Sequence, residues 1–230
     1  MQKVGNLDWL LDNYNFQNIA AAIDELVIVD ASRGLKDNTR FLKDLNEIRD
    51  RLNIPISVGG GISNIDYVAV LFDNGADKIV INSSAFHDQR LLKQIAFSFG
   101  RQAIILSIDF KCIGEKVEIY SSNGSIKEEI SLREHVTQTS GHIGEILFNS
   151  IDKDGTGFGL DIPALKIMCD VSSAPIIAMG GVGNSSHMLE GLHITNCDSV
   201  CTANLFNFVG DGLLVARNNL LKENINLARW

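Results

Sequence analysis

The chain of 230 residues is short of several features that mark whole classes of protein. It has three prolines, and no proline-, glycine- or serine-rich stretch divides it. With 45% hydrophobic residues it can build one sizeable core, so a single domain over residues 1–230 is expected. Cysteine is scarce too: Cys112, Cys169, Cys197 and Cys201 lie without CxxC spacing. That spacing indicates neither a disulfide framework nor a zinc site, and reads as small buried hydrophobes. His87, His135, His142, His187 and His193 show no ligand spacing and are given no role, so neither a metal nor a cofactor is expected. Apolar runs longer than a strand are missing, as is a signal-peptide layout at the start, which points away from membranes and towards the cytoplasm. Positive charge is in deficit, with 20 Lys and Arg against 28 Asp and Glu and a net charge of −8. Wholesale nucleic-acid binding is disfavoured, but small anions answer to local potential and stay open as ligands.

What the chain has in abundance is itself. Ile54-Pro55-Ile56-Ser57-Val58-Gly59-Gly60-Gly61-Ile62-Ser63 returns 120 residues later as Ala174-Pro175-Ile176-Ile177-Ala178-Met179-Gly180-Gly181-Val182-Gly183. Each copy is a short apolar run with no solvated face, then glycines, then a polar helix start, which describes a buried strand opening onto a glycine loop. Adjacent glycines let a backbone approach an anion, and the free N–H groups of the next helix add positive potential. Two such cradles fit a ligand with a phosphate at each end. The same offset lays Glu25-Leu26-Val27-Ile28 on Glu145-Ile146-Leu147-Phe148 and Ala85-Phe86 on Leu205-Phe206, so a large unit is duplicated.

In order, the spacing predicts a helix over 7–22, a strand at 26–30, a helix over 41–52, a strand at 54–58 and a helix over 64–73 with Ser63 and Asp66 as a capping box. A strand at 78–82, a helix over 89–99 and a strand at 102–109 follow. A polar excursion at 110–130 holds Val117-Glu118-Ile119-Tyr120 and reads as a hairpin turning at Asn123-Gly124. Helix 131–140, with Ser131 and Glu134 as a second capping box, precedes strand 145–150, helix 162–171, strand 175–179, helix 185–193, strand 198–202 and a helix near 211–221. Strands apolar on both faces alternating with helices imply a parallel sheet with helical crossovers. Between an open doubly wound sheet and a closed eight-stranded barrel, duplication favours the barrel. The expected fold is therefore α/β, a (β/α)8 TIM barrel of two half-barrel repeats, about 1–100 and 101–230. Only seven strands are counted; the partner of strand 102–109 would end at position −11, so the first strand is expected to be missing from this chain.

In such barrels chemistry gathers where strands end. Asp30 and Asp109 close apolar strands, as does Ser150-Ile151-Asp152-Lys153-Asp154, followed by Gly155. A carboxylate facing an enclosed pocket suits general acid or base work, although helix capping is the alternative. Asn82 and Ser83 beside the first glycine loop, and Asn204 beside the second, offer polar groups to two phosphates, again with capping as the alternative. At the opposite strand ends Glu25, Lys78 and Glu145 abut apolar runs, where a charge is costly unless paired. They read as solvated strand starts or as a ring of charges closing the barrel floor.

Asp24-Glu25-Leu26-Val27 with Asp30, Val58-Gly59-Gly60-Gly61-Ile62, Gly75-Ala76-Asp77-Lys78-Ile79 with Asn82, Ile108-Asp109, Gly144-Glu145-Ile146-Leu147, Ser150-Ile151-Asp152-Lys153-Asp154-Gly155-Thr156 and Gly180-Gly181-Val182-Gly183 run across nearly the whole chain. In this order they resemble the cyclase subunit family of imidazole glycerol phosphate synthase. The resemblance implies a lyase of histidine biosynthesis whose barrel takes ammonia from a glutaminase partner docked on its floor. The ammonia would pass a gate matched by Glu25, Lys78 and Glu145, then cleave and cyclise a phosphorylated ribulosyl nucleotide. Of the family's two acid and base aspartates, the second matches Asp109. The phosphate and substrate contacts would come from Asp30, Gly60, Gly61, Asn82, Ser83, Asp154, Gly155, Gly180, Gly181 and Asn204. The pattern departs at Asn149, where threonine is usual, and at Asn204, where serine is usual. Asn149 and the ending Leu227-Ala228-Arg229-Trp230 resemble instead paralogues found with surface-polysaccharide genes, thought to supply ammonia for an acetamidino sugar. A truncated, non-catalytic barrel subunit is the third reading.

Overall fold

The central strands of the main sheet are too apolar for a solvated face, and the chain covers both of theirs. In a computed structural model that describes residues 7–13, 19–32, 34, 36–195, 197–207 and 211–228, the elements are α1 (Leu7–Asn13), β1 (Leu26–Val29), α2 (Asn38–Arg49), β2 (Ile56–Gly59), α3 (Ile65–Asp73), β3 (Lys78–Ile81), α4 (Ser83–His87), α5 (Gln89–Phe99), β4 (Ile104–Ile113), β5 (Lys116–Ser121), β6 (Ile126–Lys127), α6 (Leu132–Thr139), β7 (Glu145–Ser150), α7 (Ile162–Val171), β8 (Ile176–Met179), α8 (Ser185–Thr195), β9 (Ser199–Val200) and α9 (Gly212–Lys222). Seven strands pair in parallel in the order β1-β2-β3-β4-β7-β8-β9, while β5 and β6 hang antiparallel from β4. Among the described residues β1 and β9 carry the sheet's free edges.

Alternate residues of each strand face opposite ways. Ile104, Leu106, Ile108 and Phe110 of β4 lie with Val68, Leu71, Leu91, Ile95 and Val136 of the helices in the large core. Ile105, one residue out of step, lies instead with Val80 and Leu147, and Val27, Ile177, Met179 and Cys201 pack on them. These side chains come from β1, β3, β4, β7, β8 and the residue after β9, so the sheet curls until its inner face meets itself. The architecture is that of a TIM barrel, with an apolar interior and an outer layer of helices.

The duplication survives in three dimensions. Leu26 N donates to Pro55 O and Ile146 N to Pro175 O, and the registers Leu26↔Ile56 and Ile146↔Ile176 differ by 120 throughout. One strand later Ser57 pairs with Lys78 and Ile177 with Ser199, so the offset has grown by one residue. Asp77 and Asp198 follow the same rule, each carboxylate accepting the N–H of Ile56 or Ile176 at 2.8 Å.

Some local expectations change. Helix α3 is capped by Asn64, whose Oδ1 accepts from Tyr67 N at 2.8 Å, and not by Ser63; the amide side chain occupies the position from which the third residue on is in reach. Ser131 does cap α6, accepting from Glu134 N at 3.2 Å. Strand β4 does not stop at Asp109 but runs to Ile113, because its far half pairs with β5. The polar excursion therefore turns twice, first at Gly114-Glu115 and then through Ser122 and Asn123, both of which hold positive φ. Of the helix expected over 7–22, positions 14–18 lie outside the described residues, as do Arg229 and Trp230.

Candidate active site

Parallel strands bring all their strand-to-helix loops to one end. Gly60 and Gly61 after β2, and Gly180 and Gly181 after β8, therefore share that end. Both pairs hold positive φ, Gly60 at 104° and Gly180 at 102°. A side chain on Gly60 would run into the carbonyl oxygen of Asp30, and one on Gly180 would stand 2.6 Å from that of Ser150. The two loops are thus built alike, each pressed against the strand 30 residues before it. Each is followed by an asparagine that closes on the third residue beyond: Asn64 on Tyr67, and Asn184 on His187 at 3.1 Å. His187 also accepts from Gly183 N through Nδ1 at 3.2 Å, so this histidine, to which no role was given, belongs to the second loop.

Asp109 has the inward parity of Ile105 and Ser107 on β4. It lies between two strands, pairing with Asn149 in the parallel ladder to β7, which continues to Phe110, and with Tyr120 in the antiparallel ladder to β5, which begins after the ladder to β3 has ended at Leu106. Asn149 Nδ2 donates to Asp109 Oδ1 at 2.9 Å. Burial raises the Asp109 pKa; the Asn149 hydrogen bond opposes this, and the charge of Asp154 adds to it. Asp154 lies in the loop after β7, near enough for its charge to be felt at Asp109, and its N–H donates to Ser150 O at 2.9 Å. Gly155 follows at φ 75° with open space where a side chain would point. Farther along, Gly159 N donates to Gly181 O at 2.7 Å, and the Asn204 side chain lies against Gly157, so the second glycine loop, the Asp154 loop and Asn204 form one wall.

Around the first loop the polar groups are more occupied. Asn82 Nδ2 donates to Ser107 O at 3.1 Å and Tyr120 O at 3.3 Å, tying β3 to β4 and β5. Ser83 Oγ accepts from Ser122 N at 3.0 Å. The carboxylate of Asp30 accepts from Ser32 N at 2.9 Å and pairs with Lys36 Nζ at 3.2 Å. Burial alone would raise its pKa, but Ser32 and Lys36 outweigh burial and hold it low. The structure thus gives Asp30 to Lys36, and gives Asp109 to Asn149.

At the other end of the strands, Lys78 Nζ bonds Glu25 Oε2 and Glu145 Oε1, both at 2.8 Å. Glu25 precedes β1 and Glu145 opens β7, each two strands from β3, so one ammonium reaches both only across the curl of the sheet. Burial works against the Lys78 charge, yet the bonds to Glu145 and Glu25 prevail and its pKa is raised. Ser57, opposite Lys78 in the register, donates to Glu25 Oε1 and is a fourth member that the charge pattern alone could not disclose. Between floor and mouth lie Val80, Ile105 and Leu147. A separate cavity of about 490 Å³ opens beside the start of β8, lined by Lys166, Cys169, Asp170, Thr195 and Asp198; none of the site residues line it. Among the described residues no group of three or more His, Cys, Asp and Glu could hold a metal, and no helix is long and apolar enough to cross a membrane.

Comparison with known proteins identifies a family and several relatives. The family described as histidine biosynthesis protein matches residues 13–210. A protein of Parasynechococcus marenigrum (strain WH8102), provisionally named imidazole glycerol phosphate synthase subunit hisF2, is 38% identical over 232 residues, covering 100% of this chain and 86% of its own length. The imidazole glycerol phosphate synthase subunit HisF of Flavobacterium psychrophilum is 35% identical over 204 residues, 86% of this chain and 81% of its own. That of Thermotoga sp. (strain RQ2) is 32% identical over 206 residues, 89% of this chain and 81% of its own. A barrel of doubled halves, two matching glycine loops at one mouth and a match that spans most of the sequence lead to one conclusion: the chain belongs to the histidine biosynthesis protein family.

Proposed function

We propose that the protein is the cyclase subunit of an imidazole glycerol phosphate synthase, a single barrel domain in which residues 1–100 and 101–230 are the two halves. It takes ammonia from a separate glutaminase subunit and cleaves and cyclises a phosphorylated ribulosyl nucleotide. The products are imidazole glycerol phosphate and an aminoimidazole carboxamide ribotide. A cytoplasmic location goes with this reading. The observation that carries it is the inward carboxylate of Asp109, set at the same end of the sheet as two glycine loops of matching backbone geometry.

Asp109 serves as an acid or base: its raised pKa brings protonated and ionised forms closer to working pH than an exposed aspartate could. Gly60 and Gly61 with Asn82 and Ser83 hold one phosphate; Gly180 and Gly181 with Asn204 hold the other. Exposed N–H groups in positive-φ glycine turns are suited to anions because no side chain blocks the approach. Asp30, Asp154 and Gly155 line the substrate between them. Glu25, Lys78 and Glu145 gate the floor, beyond which the apolar interior offers uncharged ammonia a path that ammonium would enter only at the cost of its solvation.

The test supplies purified protein with the ribulosyl intermediate and an ammonium salt, and follows both products. Turnover is expected, and Asp109→Asn should abolish it while leaving the binding of a phosphate ligand within about tenfold. An absence of product from the unaltered chain overturns the reading and favours a non-catalytic subunit; an unchanged rate in Asp109→Asn makes the aspartate structural. A second reading, in which the ammonia serves an acetamidino sugar of a surface polysaccharide, is favoured by Asn149 beside Asp109 and by the 38% identity to the hisF2 protein. Turnover of ammonia with the sugar acceptor and a transferase partner, but not with the ribulosyl nucleotide, would establish it.

A further inference from the structure

The amide of Asn149 is used at one end only. Its Nδ2 donates to Asp109 Oδ1 at 2.9 Å, whereas its Oδ1 is buried and accepts from nothing in the described structure. A buried carbonyl left without a donor is uncommon in a native fold and calls for an explanation. The surroundings restrict what that can be. Asn149 and Asp109 are register partners on neighbouring strands, both of inward parity, above Leu147 and Ile105. The group beside Asn149 on its own strand that could have served, Leu147, is apolar, and the nearby charge of Asp154 has no proton to give while ionised.

We propose that Asn149 is the positioning residue of the site. Its Nδ2 orients the Asp109 carboxylate and favours its ionised form, and its free Oδ1 accepts an N–H or O–H from the ligand. The proposal rests on the site as read above and adds to it the chemical sense of the ligand at this point. Two acceptors side by side, a carboxylate oxygen and a carboxamide oxygen, favour a donor group such as an amine or a hydroxyl over a phosphate or carboxylate oxygen, which the ionised carboxylate repels. The phosphates are therefore held away from Asn149, at the glycine loops, and a nitrogen or hydroxyl lies over it.

Threonine and valine have nearly the same shape, which separates the hydrogen bond from the packing. Asn149→Val loses both the donor and the acceptor; Asn149→Thr keeps a hydroxyl that can serve Asp109. The Asp109 carboxyl is titrated directly by carbon NMR of aspartate-labelled protein, and the pH profile of turnover is recorded with the ribulosyl nucleotide and ammonium. In the valine variant the Asp109 titration and its limb of the profile should move up by about one pH unit, the worth of one hydrogen bond to a charged group. The threonine variant should bring both back towards the wild-type value. The KM of the valine variant should rise about tenfold from the lost ligand bond. Identical titrations for valine and threonine, or no movement with valine, overturn the donor role; an unchanged KM overturns the acceptor role. The NMR titration needs no turnover, so a wrong substrate would leave the positioning result standing, and circular dichroism melts identify a variant that has not folded.

Discussion

His135 offers the sharpest quantitative test of how the outer layer is packed. It is 1% exposed on α6, its ring stacks on Phe86 with centroids 3.9 Å apart and planes 8° apart, and its Nε2 is buried without a partner among the described residues. An imidazolium in that place would lose its hydration with nothing to replace it, so burial pushes the pKa down from 6.5 to about 4. The folded protein therefore holds the ring neutral while the unfolded chain takes up a proton near 6.5. Above pH 6.5 the two states agree and nothing is lost. Between 6.5 and 4 the unfolded state binds the extra proton, so stability falls as pH falls. The loss reaches about 2 kcal/mol at pH 5 and levels off near about 3 kcal/mol below pH 4. Urea unfolding at pH 7.5 and pH 5 for the wild type and for His135→Phe, which keeps an aromatic ring against Phe86, measures it. Other groups titrate in this range in both proteins, so the difference between the two pH dependences isolates the histidine. Wild type should lose about 2 kcal/mol more than the variant on going to pH 5. Parallel losses would mean that the ring is hydrated or partnered in solution, and the packing of α6 against Phe86 would be wrong.

Lys78→Met should leave Glu25 and Glu145 facing each other without their shared cation. Breaking a fully buried pair costs about 3–5 kcal/mol, and because the Lys78 side chain is 22% exposed a smaller loss, about 2 kcal/mol, is expected in urea unfolding. Adding Glu145→Gln should recover part of it, and a Lys78→Met protein as stable as wild type would refute the shared ion pair. Asn64→Ala should cost about 1 kcal/mol through loss of the α3 cap, while Ser63→Ala should be close to neutral. Equal effects in thermal melts would restore the serine as the cap.

The sequence disclosed the barrel because the features that define it are repeated. Doubling of the Pro-Ile strand and its glycines locates both loops in the sequence, and the alternation of wholly apolar strands with helices implies a parallel sheet. Asp109 was legible as a carboxylate after an apolar run, but not its place in the middle of a ten-residue strand. What extends β4 is the antiparallel pairing of Lys111, Cys112 and Ile113 with Val117 and its neighbours, a tertiary choice that polar composition hides. Short α4 was missed because Ser83–His87 is too brief to show a helical period. Ser57 was invisible for another reason: inside an apolar strand a serine carries no periodic signal, and only the register opposite Lys78 reveals its purpose. Lys36 escaped similarly, since its hold on Asp30 depends on how the intervening loop folds.

The slip of the repeat from 120 to 121 residues has a place as well as a size. Strands β2 and β8 still match at 120, and by β3 and β9 the count is 121, so the additional residue was absorbed between Gly60 and Asp77 or their later counterparts, in the outer layer. A strand could not have taken it, because one more residue there would turn every following side chain inside out and carry a group such as Asp109 from the lumen to the helices. The molecule is accordingly free to drift at its rind and bound to strict counting along its staves, and natural variants of this chain should gather their insertions in the former.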